Sequence, residues 1–192
     1  MYISIDDLTE MIEMPNRRAC KKILADNKEI FRRVRGSSNN HQNWPGGYHD
    51  HVLETMNLAI ILYRTLSELR PLNFSLSDAL LVLFLHDLEK PWKYRLNDRG
   101  ETEYVEGLKT KGAARTFRNK KMSEYGLVLT PEQRNGLKYV EGEHRDYSSK
   151  FRVMNPLAAF CHLCDVTSAR IWFDYPKNEG DPWNPKGRIT EK

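Results

Sequence analysis

Residues 81–90 read Leu-Val-Leu-Phe-Leu-His-Asp-Leu-Glu-Lys, an unbroken apolar run that stops abruptly at a histidine, an aspartate and two further charges. Apolar residues on every side predict a helix buried all round, and ionisable groups at the end of such a helix are costly unless their charge is compensated. A metal ion would compensate them. Successive side chains on a helix point about 100° apart, so His86 and Asp87 can share an ion only if it lies beyond the helix end, where distant segments supply further ligands.

The chain has 192 residues, enough for one well-buried domain and short for two. Its hydrophobic fraction of 40% and charged fraction of 29% fit a globular protein. No apolar stretch approaches the roughly 18 residues of a membrane span, and the N-terminus lacks the pattern of a signal peptide. Three cysteines cannot all pair, which predicts a reducing, cytoplasmic setting. The net charge of +4 and a pI near 8.9 are compatible with anionic substrates and do not separate nucleotides from nucleic acid.

Along the chain, Ser4 and Asp7 open a short helix that ends before Pro15, and a second helix runs from there to about Val34. Its Arg17, Arg18, Lys21 and Lys22 read either as a phosphate grip or as a solvated face. From Gly36 to Gly47 the composition turns to Ser, Asn, His, Trp, Pro and Gly, a loop in which His41, Gln42, Asn43 and Trp44 either contact a base or sugar or simply face solvent. A long helix follows to about Leu69, with His51 on an inward stripe beside Thr55, Leu58 and Leu62, and His49 at its entrance facing solvent. Ser77 is expected to cap the helix that carries His86, which should end near Pro91. Lys93–Leu96 and Glu101–Val105 alternate around a turn and predict a small hairpin or an irregular lid. Lys109, Lys111, Arg115, Arg118, Lys120 and Lys121 make a basic helix, read as phosphate recognition or a solvated face. Thr130-Pro131-Glu132-Gln133 is a capping box with proline at the first helical position. His144 follows that helix, as surface decoration or as a site residue. Asn155-Pro156 opens the last helix, where Ala158, Cys161, Asp165, Ser168 and Trp172 share a face, so that a carboxylate sits on a stripe of small or apolar residues and demands a partner. Cys161 and Cys164 read as core packing rather than as a zinc knuckle. The tail from 176 to 192 is expected to be extended or partly disordered.

His51, His86, Asp87 and Asp165, in the order H…HD…D, resemble the HD superfamily of metal-dependent phosphohydrolases. The resemblance covers roughly residues 46–172 and includes Gly46-Gly47 ahead of His51 and Asp87-Leu88-Glu89-Lys90, similar to that family's H-D-x-x-K variant. It implies an all-α fold, here a single helical domain over residues 1–175 with room for one small β-hairpin insertion. It also implies that His51, His86, Asp87 and Asp165 hold one divalent ion. Two-metal members of the family place further histidines between the His-Asp pair and the final aspartate; here only His144 stands there, which favours a single metal.

A mixed nitrogen and oxygen site accepts Mn, Fe, Co, Ni or Zn without choosing among them. Such an ion makes water acidic and polarises a phosphoryl oxygen, so that hydroxide generated at the metal attacks phosphorus. The expected function is hydrolysis of a phosphomonoester or phosphoanhydride in a nucleotide. The alternatives are a phosphodiesterase or nuclease acting on cyclic nucleotides or nucleic acid, and a catalytically silent nucleotide sensor. The expected substrate is a nucleotide or other phosphate ester, with nucleic acid as the alternative partner and no membrane. Lys90, four residues after His86, reads as offsetting charge on the phosphoryl oxygens or as a plain helix terminator. Glu89 and Asp165 are candidates to handle the water's proton, Glu89 alternatively being an exposed helix-end carboxylate. His144 is assigned to phosphate binding or proton transfer, and Lys109, Lys111, Arg115, His41 and Arg170 to substrate binding.

Overall fold

The computed structural model describes residues 3–37, 41–96 and 102–172; the expected tail at 176–192 lies outside them. The described chain is mostly α-helical with one two-stranded antiparallel sheet. Ser4 caps α1 (Ile5–Glu10) by accepting from the Asp7 amide, and α2 (Asn16–Arg33) buries Ala19, Cys20, Ile23 and Phe31. Its basic residues Lys21 and Lys22 are exposed and pair with Glu10 and Asp26, as a solvated face does. The loop that follows folds back on itself, with the Gly36 amide donating to the Gln42 carbonyl at 3.0 Å. It meets α3 (Gly47–Leu69) without room for a side chain between them, since a Cβ on Gly47 would lie 1.8 Å from the Gln42 carbonyl oxygen.

The centre of the molecule is α4 (Leu76–Leu85). Every residue from Ala79 to Leu85 is buried, and each leucine among them contributes about 2 kcal/mol by leaving water. The covering elements are α1, α3, α7 (Pro131–Tyr139) and α8 (Pro156–Val166). At Gly136, α7 lies against α4 with no room for a side chain, since a Cβ would come within 2.9 Å of Val82 Cγ2.

Two sequence expectations about α4 are corrected here. Its cap is Ser75 rather than Ser77: Ser75 accepts from the Asp78 amide while the Asp78 carboxylate accepts from the Ser75 amide, a reciprocal box. The Ser77 hydroxyl instead accepts from the Glu13 amide at 2.8 Å. The helix also ends at Leu85, with His86 as its cap residue, and not near Pro91. Residues 86–89 are turns that lead into the one-turn α5 (Lys90–Lys93).

Strands β1 (Tyr94–Leu96) and β2 (Thr102–Tyr104) pair with Tyr94 opposite Tyr104, forming the small hairpin. Then comes α6 (Lys111–Glu124), capped by Thr110. It docks on α5 through Phe117 and Trp92, whose rings are 5.6 Å apart. Thr130 and Asn155 cap α7 and α8 as the sequence indicates, and α8 runs into a π-helical turn at Thr167–Ile171. Among the described residues no helix is long and apolar enough to cross a membrane.

Candidate metal centre

The end of α4 leaves carbonyl groups without helical partners, and three carbonyls there take a side chain or turn amide. His86 Nδ1 donates to the Leu83 carbonyl at 2.6 Å, the Leu88 amide donates to the Leu85 carbonyl at 3.2 Å, and buried Arg118 of α6 donates through Nη1 to the His86 carbonyl. A guanidinium at a helix C-terminus also opposes the negative end of the helix dipole. These bonds fix the turn that carries His86, Asp87, Glu89 and Lys90.

The four residues of the H…HD…D set come together there from three parts of the chain. His51 Nε2, on α3, lies 3.1 Å from His86 Nε2, 3.1 Å from Asp165 Oδ1 and 3.6 Å from Asp87 Oδ2. His86 Nε2 lies 3.2 Å from Asp87 Oδ2 and 3.7 Å from Asp165 Oδ1. His51 and His86 are 0% and 1% exposed.

Hydrogen bonding settles which nitrogens carry protons. A carbonyl can only accept, so His86 Nδ1 is a donor. Ser168 Oγ donates to Glu54 Oε2 at 2.7 Å and lies 3.0 Å from His51 Nδ1, so that His51 Nδ1 is a donor as well. Both neutral imidazoles therefore turn the lone pair of Nε2 inward, toward each other and toward two carboxylates. Four acceptor atoms with no hydrogen among them repel unless a cation sits between them, and a divalent ion of the class that takes imidazole and carboxylate ligands fits that donor set.

Without an ion the cluster must recruit protons, and the directions of the pKa shifts agree. Burial opposes the charge on His86, but Asp87 and Asp165 outweigh it and raise its pKa to about 9. Burial lowers that of His51, against the pull of Asp165. Burial pushes Asp87 up, and Lys90 with His86 overrides it, holding that carboxyl well below its usual range. Asp165 is likewise lowered by His51 and His86 against burial.

Around His51 the support is buried and polar. Gln42 Nε2 donates to Glu54 Oε2 at 3.0 Å and lies 3.2 Å from Ser168 Oγ, so loop, α3 and π turn are tied at one hydroxyl. Sequence reading missed Glu54, read Arg118 only as part of a basic helix for phosphate or solvent, and took Ser168 only as a small neighbour. Two signals were present: Glu54 stands on the long inward-facing helix three residues after His51, and Ser168 follows Asp165 by three.

The loop also delivers His41 to the cluster. Its ring lies 4.8 Å from that of His51, and its Nε2 accepts from Lys90 Nζ at 3.2 Å. Lys90 Nζ lies 2.5 Å from Asp87 Oδ2. Lys90 thus meets Asp87 three residues back, instead of standing on one helical face with His86, because the α-helix has already ended. Burial lowers the lysine pKa and Asp87 more than restores it; burial lowers that of His41 to about 3. Glu89 is 7% exposed, which removes the exposed helix-end reading, and burial and Asp87 raise its carboxyl.

The other candidates lie apart from this cluster. Lys111, Arg115 and His144 line a cleft of about 710 Å³, bordered also by Glu89 and Arg118. The His144 side chain is 55% exposed, 4.0 Å from Glu141. Lys109 pairs with Glu106, and Arg170 is exposed on the π turn. His49 is half-buried in the first turn of α3, in neither group of donors that could hold an ion. Cys161 and Cys164 are buried free thiols, raised by burial, as core packing requires. No protein-family model, no curated protein and no solved structure matches the chain.

Proposed function

We propose that the chain is a metal-dependent phosphohydrolase acting on a nucleotide, of the HD type that its H…HD…D order resembles. What carries the reading is the approach of His86, Asp87 and Asp165 to His51 Nε2, with an ammonium on Asp87 at their rim. A divalent ion bound there supplies Lewis acidity toward a phosphoryl oxygen and toward water.

The chain's own groups account for the rest. The Lys90 and Asp165 side chains, 12% and 14% exposed, are more open than those of His51, His86 and Asp87, so a substrate phosphate approaches beside them. The Lys90 ammonium, held by Asp87, opposes negative charge that grows on phosphoryl oxygens during reaction. Glu89, raised by burial and by Asp87 and open to the cleft, keeps its proton to higher pH than an ordinary glutamate. It is the group suited to return a proton to the leaving oxygen. The Asp165 carboxylate oxygen that is not turned toward His51 and His86 receives the proton of an attacking water. The second reading, a phosphodiesterase or nuclease, draws on Lys111, Arg115 and Arg145 along the cleft, where a longer anion could lie.

A panel of nucleoside mono-, di- and triphosphates, cyclic nucleotides and oligonucleotides, each with Mn, Co, Ni and Zn, separates the readings. Phosphate release from a mononucleotide is the expected result. In the Lys90→Met protein, given one metal equivalent, turnover should fall on the order of 10²-fold with that ion retained. Absence of hydrolysis across the whole panel, with nucleotide binding intact, would sink the enzyme and leave the sensor.

A further inference from the structure

The donors form two overlapping groups, His51 with His86 and Asp165, and His41 with His51 and Asp87. In the second, both donors that are not shared already touch a cation, because Lys90 Nζ is 2.5 Å from Asp87 Oδ2 and 3.2 Å from His41 Nε2. Considerable structure goes into placing that imidazole. Ser37 Oγ donates to the His41 carbonyl at 2.9 Å. The next residue, Gln42, is fully buried and adopts a φ of 44°, a conformation that costs a non-glycine residue about 1 kcal/mol. A histidine needed only for loose contact with a substrate base would not require this.

Charge explains the pairing. Two carboxylates, Asp87 and Asp165, balance one divalent ion, and the ammonium already leaves the centre one unit positive. A second divalent ion beside Lys90 would set two further positive charges against an ammonium in a site shielded from water, where like charges repel strongly. Asp87 Oδ2, close to both His86 Nε2 and Lys90 Nζ, is placed to bridge two cations, as carboxylates do in paired metal sites.

We propose that the centre is built for one metal ion and one resident ammonium: Lys90 fills the His41–Asp87 position, which becomes a second divalent-ion site once the lysine's charge is removed. His41 is then a latent ligand whose lone pair the lysine engages. The inference rests on the metal-centre reading and is independent of which phosphate bond is cut.

The test is metal stoichiometry, with Mn(II) and Co(II) titrated into metal-stripped protein and read by elemental analysis and by the magnetic coupling of paired Mn(II) ions. Wild type should saturate at one ion. Lys90→Glu, which exchanges the ammonium for a third donor, should take two and show coupling, and His41→Ala added to it should restore one. Lys90→Met removes the charge without adding a donor, so it should take the second ion more weakly; it decides the matter if the glutamate variant does not fold. Two ions in wild type, one ion in both lysine variants, or a second ion that survives His41→Ala would each overturn the proposal. No ion in wild type would overturn the metal centre itself.

Discussion

The two ends of α4 each carry an aspartate and treat it in opposite ways. At the N-terminal end Asp78 accepts from the Ser75 amide and hydroxyl and from Gln133 Nε2 at 2.7 Å, so its charge is met by neutral donors. At the C-terminal end Asp87 Oδ2 faces the Nε2 atoms of two imidazoles, and its charge is met by the Lys90 ammonium and, without metal, by the proton that His86 retains. The first end is complete as folded. The second is arranged around a cation, and that difference distinguishes a structural polar cluster from a functional one better than burial does.

The comparison breaks most sharply under substitution. His86→Ala removes an inward lone pair and should weaken metal binding by more than about 100-fold, since even partners one layer behind a ligand cost 10–100-fold. Asp78→Ala should leave metal binding unchanged and cost about 1 kcal/mol of stability, as loss of a cap does. Isothermal titration and thermal melts on both proteins read the two quantities; equal metal loss in both would erase the distinction between the ends.

Proton competition sharpens it next. His86, raised to about 9, binds its proton more tightly folded than unfolded. The resulting stability is therefore fully present below about pH 6.5 and lost as pH rises through about 9, an effect of up to about 3 kcal/mol in metal-free protein. Asp87 and Asp165 are shifted downward and stay ionised across that window. Metal must displace the His86 proton, so apparent affinity should rise by about tenfold per pH unit over the same range. Melting temperature against pH, with and without metal, should show the two curves diverging; parallel curves would mean that His86 is not the proton that metal displaces.

The smallest expected effect concerns the layer behind the ligands. Ser168→Ala leaves His51 Nδ1 without its hydroxyl acceptor and removes one of the donors to Glu54, which keeps Gln42 Nε2, and should lower metal affinity by about 10–100-fold. Ser168→Thr keeps the hydroxyl and should restore most of it. If both variants bind like wild type, His51 is oriented by packing alone.

Much of this was legible in the sequence where information is local. Ser4, Thr130 and Asn155 cap the helices they precede, and the apolar run before His86 is the buried helix. The cap of α4 was misplaced because Ser75 and Ser77 stand two apart, and only Ser75 has its aspartate at the box position. The end of α4 was misplaced because Leu88 and the charges around it fit a helical period, while the actual stop is set by Arg118, which comes from 32 residues away. The Gln42–Glu54–Ser168 network joins residues as far as 126 apart, and no local pattern encodes it. His41 was noticed for its loop composition and assigned to a substrate, since nothing in the sequence says that the loop folds back onto α3.

That return of the loop has a genetic consequence. Backbone touches backbone at Gly47, so any larger residue there must displace the Gln42 carbonyl, and with it the strand of chain that presents His41 and Gln42. Position 47 carries no donor atom of its own beyond the peptide. A collection of inactive mutants would nevertheless place it beside the ligands in severity, and suppressors of such mutants would be sought within residues 36–46, not near the histidines.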